Sequence, residues 1–260
     1  MRENFVRVLG SADWHQTAHN DHSCYTIDDR ILVDACPSVV TSLQEHGVEP
    51  LDIRLVLMTH MHCDHYMGLA PLLHYWRVCR DKDLSGLTIA GPKADIRRLV
   101  EKTLAFVFDS GLAENVTGMP RIVELEDGGE IDFPPYHIRA GAGDHAVPDI
   151  VYRVTDSESG HAAGFTGDTR YLESFPAFFR DVDLLLHEAS FGAGPVHPEQ
   201  NAVCRHSSAQ EAVRVCKEGG VRSLLLTHSY EPKREAAVAE VRRQLHIPAG
   251  WALPHHVYPY

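Results

Sequence analysis

The eleven residues LVLMTHMHCDH, Leu55 to His65, constrain this chain more than any other stretch. Leu55 to Met58 are apolar without alternation, the pattern of a strand covered on both faces. Such a strand belongs to a sheet with layers packed on each side. The chain has to leave that sheet at Thr59, and strand ends are where ligands gather in α/β folds. Three histidines and an aspartate follow within six positions: His60, His62, Asp64 and His65. Imidazole nitrogen and carboxylate oxygen together are donors that divalent zinc, iron or manganese accept. The stretch reads as a metal site built onto the end of a buried strand. Chance histidines on a surface would not account for this density.

The same device recurs. Apolar runs end in Asp168 (AAGFTGD), His187 (DLLLH) and His228 (LLLTH), and the segment after YHIRAG reaches Asp144 and His145. A lone case could be a turn residue or a satisfied core histidine. Repeated delivery of histidine and aspartate from buried strand ends gives convergent ligands on a rigid scaffold, as a preorganised metal site requires.

Around these ends, strands and helices alternate. NFVRVLG and RILVDA read as strands, SVVTSLQEHG as a helix closed by Gly47, Met67 to Cys79 as a helix, and LTIAG as a strand. A helix is expected from Pro92, a first-turn proline, to about Phe108. The middle is strand-rich (RIVEL, EIDF, YHIRAG, IVYRVTD, HAAGFTG), and the last third returns to alternation. There VDLLLHEA and VRSLLLTHSY read as strands. The segment from Ser207 reads as a helix with a Ser207–Gln210 capping pattern and a Gly219–Gly220 stop, and a final helix spans Pro232 to Leu245. With no low-complexity linker or short repeat, residues 1–260 read as a single domain, sheets inside and helices outside.

Composition narrows the class of function. Hydrophobic content of 44% and charged content of 23% are those of a globular protein. The opening MRENFVRVLG lacks the apolar run that a signal peptide or spanning helix needs, so no membrane partner is expected. Six scattered cysteines, without a Cys-x-x-Cys pair, read as reduced thiols and point to the cytoplasm. A net charge of −12 counts against binding of an extended nucleic acid, which needs lysine and arginine patches. The informative excess is 18 histidines.

On these residues the chain resembles the metallo-β-lactamase superfamily. THMHCDH matches its His-x-His-x-Asp-His signature, and His145, Asp168 within TGDT and His228 within LLTHSY follow in family order. The resemblance implies an α/β fold, an αββα sandwich of two mixed sheets flanked by helices, with a two-metal site at one edge of the sheets. It implies that His60, His62 and His145 hold one ion, that Asp64, His65 and His228 hold the other, and that Asp168 bridges them. Zinc is the expected metal, with manganese and iron open on the same donors. Two dications about 3.5–4 Å apart lower the pKa of a bridging water and stabilise the anionic transition state of an attacked ester, amide or phosphodiester. Fold alone leaves the bond open.

Three features narrow it. The zinc-dependent antibiotic hydrolases typically carry cysteine where this chain has Asp168 and lack the Asp64–His65 pairing, which disfavours that subclass. Next, LLLHEAS (Leu184 to Ser190) and RHSSAQEA (Arg205 to Ala212) resemble the His-Glu-Ala-Thr and His-Ser-Thr elements of the tRNase Z type phosphodiesterases. There the equivalents of Glu188 and His206 pair beside the metals; the histidine protonates the leaving alkoxide, and the glutamate orients and charges it. An alcohol leaving group of high pKa needs such an acid. Asp64, Glu188 and His206 are thus the expected catalytic residues, Asp64 doubling as a ligand. A plainer reading makes His206 the residue before a helix cap and Glu188 a surface carboxylate. The third feature is a departure. Between the equivalents of His145 and Asp168, tRNase Z carries a long arm that grips the tRNA elbow. Here Ala146 to Gly167 hold enough for two strands and a turn, and a compact hairpin is expected.

The expected activity is a dinuclear-metal phosphodiesterase on a small or nucleotide-like substrate, with a homodimer left open. Alternatives on the same residues are a lactone, carboxylic ester or thioester hydrolase, a tRNA 3′-end endonuclease, and a non-hydrolytic di-iron redox or metal-binding protein. The loop LGSADWHQTAHNDHS carries Asp13, Trp14, His15, His19, Asp21 and His22, and reads as a polar loop, a substrate-binding edge or a third metal site. Cys63 is expected to point back into the core. Arg170 sits where it could meet a phosphate or pair with an acid, and the role of the paired histidines of PHHVYPY is left open.

Overall fold

The structure, a computed structural model, describes residues 3–107 and 116–260. Among these, one sheet contains β1 (Phe5–Ala12), β2 (Asp21–His22), β3 (Cys24–Ile27), β4 (Ile31–Val33), β5 (Leu55–Leu57), β6 (Thr88–Pro92) and β7 (Arg121–Leu125). The other contains β8 (Glu130–Phe133), β9 (Tyr136–Ala142), β10 (Ile150–Asp156), β11 (Ala162–Phe165), β12 (Leu184–Glu188), β13 (Leu224–Thr227) and β14 (Ala249–Trp251). The last strand, β15 (Val257–Pro259), returns to the first sheet beside β1. Both sheets are mixed. β1, β3 and β4 pair antiparallel and β4 to β7 parallel; β8 to β11 pair antiparallel and β11 to β14 parallel.

Helices cover the outer faces: α1 (Val39–Glu45), α2 (Cys63–Tyr66), α3 (Leu69–Cys79) and α4 (Ile96–Val107) in the first half; α5 (Phe175–Phe178), α7 (Ala209–Gly219) and α8 (Glu231–Gln244) in the second, where the intervening α6 (Pro198–Cys204) buries no residue. Three apolar layers result. Leu55, Leu57, Tyr152, Leu184 and Leu186 fill the space between the sheets. Val56, Met58, Leu72, Trp76 and Val100 pack under the first set of helices, and Leu185, Phe179, Val213, Leu226 and Val241 under the second. This explains the missing alternation in β5, because successive side chains enter different layers and both are dry. Each fully buried aliphatic side chain contributes about 1.5–3 kcal/mol, so the exit point of β5 at Thr59 is firmly held. The expected αββα sandwich is the observed fold.

The segment between His145 and Asp168 is a hairpin, β10 and β11 in antiparallel register from Tyr152–Phe165 to Thr155–Ala162. Some details differ from expectation. Pro92 ends strand β6 instead of opening a helix, and the helix begins at Ile96; the expected end at Phe108 lies outside the described residues. The cap of α7 is one residue further on: the Glu211 carboxylate accepts from the Ser208 N–H at 2.9 Å, while the Ser207 hydroxyl donates to the Thr169 carbonyl at 2.7 Å. Met67 falls between two helices, not inside one. Cys63, in the first turn of α2, is exposed and does not return to the core. The PHHVYPY tail supplies an edge strand.

Candidate metal centre

The side chains expected to act together leave the sheets from one side. His60 follows β5; His62 caps α2, whose single turn carries Asp64 and His65. His145 lies in the β9–β10 connection, Asp168 follows β11, Glu188 is the last residue of β12, His206 precedes α7, and His228 follows β13. Gly167 makes the Asp168 turn feasible: its φ is +56°, and a Cβ there would stand 2.6 Å from the Thr59 Cβ.

The structure brings all nine together. His62 Nδ1 lies 3.2 Å from His60 Nε2 and 3.0 Å from His145 Nε2. Around Asp64 Oδ2 stand His228 Nε2 at 3.4 Å and His65 Nε2 at 3.7 Å. One oxygen joins the two groups: Asp168 Oδ2 is 3.8 Å from His60 Nε2, 3.5 Å from His65 Nε2 and 3.1 Å from His228 Nε2. Among the described residues three groups able to hold an ion emerge: His60–His62–His145–Asp168, Asp64–His65–His228 and the overlapping Asp168–His206–His228.

Outer hydrogen bonds fix which nitrogen carries the proton in four of these rings, His60, His65, His145 and His228, as ligating histidines require. Asp34 Oδ2 accepts from His65 Nδ1 at 2.8 Å. Thr59 donates its N–H and hydroxyl to the same carboxylate, so its oxygen is left to accept from His60 Nδ1 at 3.0 Å. The Arg205 carbonyl accepts from His145 Nδ1 at 3.1 Å, and the Ser190 hydroxyl, itself donating to the His228 carbonyl, accepts from His228 Nδ1 at 3.0 Å. His228 sits at φ +51°, a left-handed backbone that these contacts and the bond from its N–H to the Ser11 carbonyl (3.0 Å) hold in place.

With those protons committed, His60 Nε2 and His145 Nε2 both turn lone pairs toward His62 Nδ1, which carries at most one hydrogen to share between them, so lone-pair density is left over for a cation. Two buried atoms beside them, His65 Nε2 and Asp168 Oδ1, have no hydrogen-bond partner. Both observations fit bound divalent metal. Burial first, then neighbouring imidazoles, lowers His60 and His62 below the ordinary histidine range, and burial lowers His145 as well, so these rings offer lone pairs near neutrality. Burial opposes charge on Asp168, but His228 and His65 outweigh it and hold the carboxylate ionised.

Beside this cluster, Glu188 Oε1 lies 2.9 Å from His206 Nδ1. Glu188 is fully buried, and its oxygens also accept from the Thr169 N–H (2.8 Å) and the Ser190 N–H (3.1 Å). Burial works against the His206 cation, yet the adjacent carboxylate overcomes it and raises His206 to about 9. A His206 ring nitrogen also comes within 4.8 Å of ligand atoms of Asp168 and His228. The plainer reading of Glu188 as a surface carboxylate does not hold.

His187 is not part of this arrangement. Along β12, Glu188 shares the parity of Leu184 and Leu186, which face the gap between the sheets, whereas His187 shares that of Leu185 and turns toward the helices. Arg170 and Arg205 both pair with Asp144. Sequence reasoning missed Asp34, Thr59, Ser190 and Asp149. Asp149 accepts from the His145 N–H at 3.0 Å, and burial, with Asp144, Asp168 and Glu188 nearby, pushes its carboxyl up to about 8. Asp34 carried the same signal as the ligands, an apolar strand (ILV) ending in an acid.

Comparison with known proteins agrees with this geometry. The model of the beta-lactamase superfamily domain matches residues 29–229. The probable metallo-hydrolase YhfI of Bacillus subtilis is 28% identical over 86% of this chain and 86% of its own length. Ribonuclease Z of Geobacillus kaustophilus is 27% identical over 81% and 82%. Among solved structures, YhfI superposes with a TM-score of 0.83 at 24% identity over 100% of both chains, and the short form of human tRNase Z with 0.75 at 19% identity over 98% of both. The chain, with its signature histidines gathered at one edge of an αββα sandwich, belongs to the metallo-β-lactamase superfamily.

Proposed function

We propose that the protein is a metal-dependent phosphodiesterase with a dinuclear centre, acting on a small or nucleotide-like phosphodiester. His60, His62 and His145 would hold one ion and Asp64, His65 and His228 the other, with Asp168 shared. Bound there, two divalent cations supply an activated water near neutral pH and positive charge for the anionic transition state. Zinc suits these nitrogen and oxygen donors, as do manganese and iron.

The observation that carries the reading is the Glu188–His206 pair at 2.9 Å, beside the ligand cluster. Glu188 occupies the Nδ1 side of the ring, so His206 gives its proton from the other nitrogen to the leaving oxygen. Burial opposes charge on Glu188, but the adjacent His206 outweighs it and holds the carboxylate ionised, and the carboxylate in turn keeps His206 charged until that transfer. The ribonuclease Z name of a relative supports phosphodiester chemistry. The hairpin between His145 and Asp168 and the net charge of −12 favour a small substrate over an extended nucleic acid. Among the described residues no helix is long and apolar enough to cross a membrane, and a cytoplasmic protein is proposed.

Bis(p-nitrophenyl) phosphate, an acyl-homoserine lactone and a thioester, assayed with zinc- and manganese-loaded protein, test the proposal. Phosphodiester turnover is expected. Rapid lactone or thioester opening with an inert phosphodiester would replace it by the carboxylic ester reading.

A further inference from the structure

The loop after β1 is tied to a residue of the metal centre and carries exposed aromatic rings. Its root touches a ligand, because the Ser11 carbonyl accepts from the His228 N–H at 3.0 Å. Its shape is fixed internally: Thr17 and Asn20 exchange backbone hydrogen bonds, Asn20 Oδ1 accepts from the Ser11 N–H at 2.9 Å, and His22 Nδ1 donates to the Asp13 carbonyl at 2.7 Å. From this anchored loop Trp14 and His15 stand ring against ring, and His15 meets the ring of Tyr230 at 4.9 Å between centroids. Tyr230 is two residues beyond His228. Trp14 is 71% exposed and Tyr230 44% exposed, large apolar surfaces left to water. Beside them Lys233 is held with its ammonium donating to the carbonyl of Ser190, whose hydroxyl orients His228.

We infer that Trp14, His15 and Tyr230 form a stacking ledge for the nucleobase of a nucleoside phosphodiester whose phosphate lies at the metal centre; this rests on the proposed phosphodiesterase reading. An exposed aromatic face beside a site for an anion is the combination that binds a base without selecting its identity, since every base offers a π-face. The ledge flanks His228, and the general acid His206 stacks on that same residue at 5.7 Å between ring centroids, so base and leaving oxygen would lie along one wall. The substrate class is therefore a mononucleotide-sized diester with its base attached.

Binding of adenosine 5′-monophosphate and of ribose 5-phosphate to the zinc-loaded protein tests the ledge. Of the three tryptophans, Trp76 and Trp251 are buried, so saturable quenching of tryptophan fluorescence by the nucleotide reports Trp14. The nucleotide should bind about ten-fold or more tightly than the sugar phosphate, as one stacked base provides. In calorimetry, Trp14→Ala and Tyr230→Ala should each bring that ratio toward one, and Tyr230→Phe should restore it. Equal affinities in the natural protein, or a ratio that neither alanine variant changes, would overturn the ledge. Quenching and base preference without turnover of any phosphodiester would leave the ledge standing and sink the phosphodiesterase reading. Turnover without base preference would do the reverse.

Discussion

The two sheets contribute to the centre in opposite ways. The first delivers His60, His62, Asp64 and His65 from six consecutive positions behind one strand, and Asp34 anchors both rings of that group that bond outward. The second delivers His145, Asp168, Glu188, His206 and His228 from five separate places in the chain, with supports that are themselves dispersed: a carbonyl of Arg205 for His145, a hydroxyl of Ser190 for His228, the N–H groups of Thr169 and Ser190 for Glu188. A contiguous half can be held by one residue and lost through one residue. A dispersed half spreads that dependence, and damage to it stays local.

Asp34→Ala breaks this comparison most severely. It leaves the Thr59 N–H and His65 Nδ1 without their acceptor and frees His60 through Thr59. Metal affinity should fall about 10–100-fold, as for other lost outer partners, read by competition with a zinc chelator. The loss should extend to the ion held by His60 as well as the one held by His65; removal of only one ion would mean that Thr59 holds His60 unaided.

Glu188→Gln sharpens the picture of the second half, since it should spare metal content and change protonation. His206 has a raised value, so its proton is present below that value and lost as pH rises through it. Cations nearby bring the alkaline limit of turnover down from about 9, and without the carboxylate burial lowers it further. The limit should move down by about 1–3 pH units. An unchanged pH–rate profile would remove Glu188 from the proton transfer.

Ser190→Ala should cost least. It removes one acceptor from His228 and leaves the other ligands supported, so metal affinity should fall toward the lower end of that 10–100-fold range, about ten-fold, with the ion on His60, His62 and His145 retained. Loss of both ions from this variant would contradict the local character assigned to the second half.

The same contrast sets what could be read from sequence. The first half is visible because its ligands are adjacent and follow an unbroken apolar run. Asp168 and His228 are visible because apolar strands end on them. Strand ends misled at His187, where one step of parity turns the side chain to the wrong face, and parity depends on register that a single strand does not reveal. Asp34 carried the strand-end signal but binds a ligand instead of an ion, a distinction set by the β4–β5 pairing. Edge strands β14 and β15 are too short for their pattern to stand out. The capping residue of α7 was missed by one position because Ser207 and Ser208 offer the same chemistry, and only the contact of Ser207 with Thr169 separates them.

The central claim is that His206 donates a proton to the leaving oxygen. Turnover by the His206→Ala variant should be measured on two diesters that differ only in the leaving group, p-nitrophenolate and an alkoxide such as a ribose hydroxyl. The alkoxide substrate should lose about 10²–10⁴-fold, because it cannot depart unprotonated, while p-nitrophenolate leaves without a proton and should lose far less. Equal losses on both would mean that His206 binds the substrate and does not act as its acid.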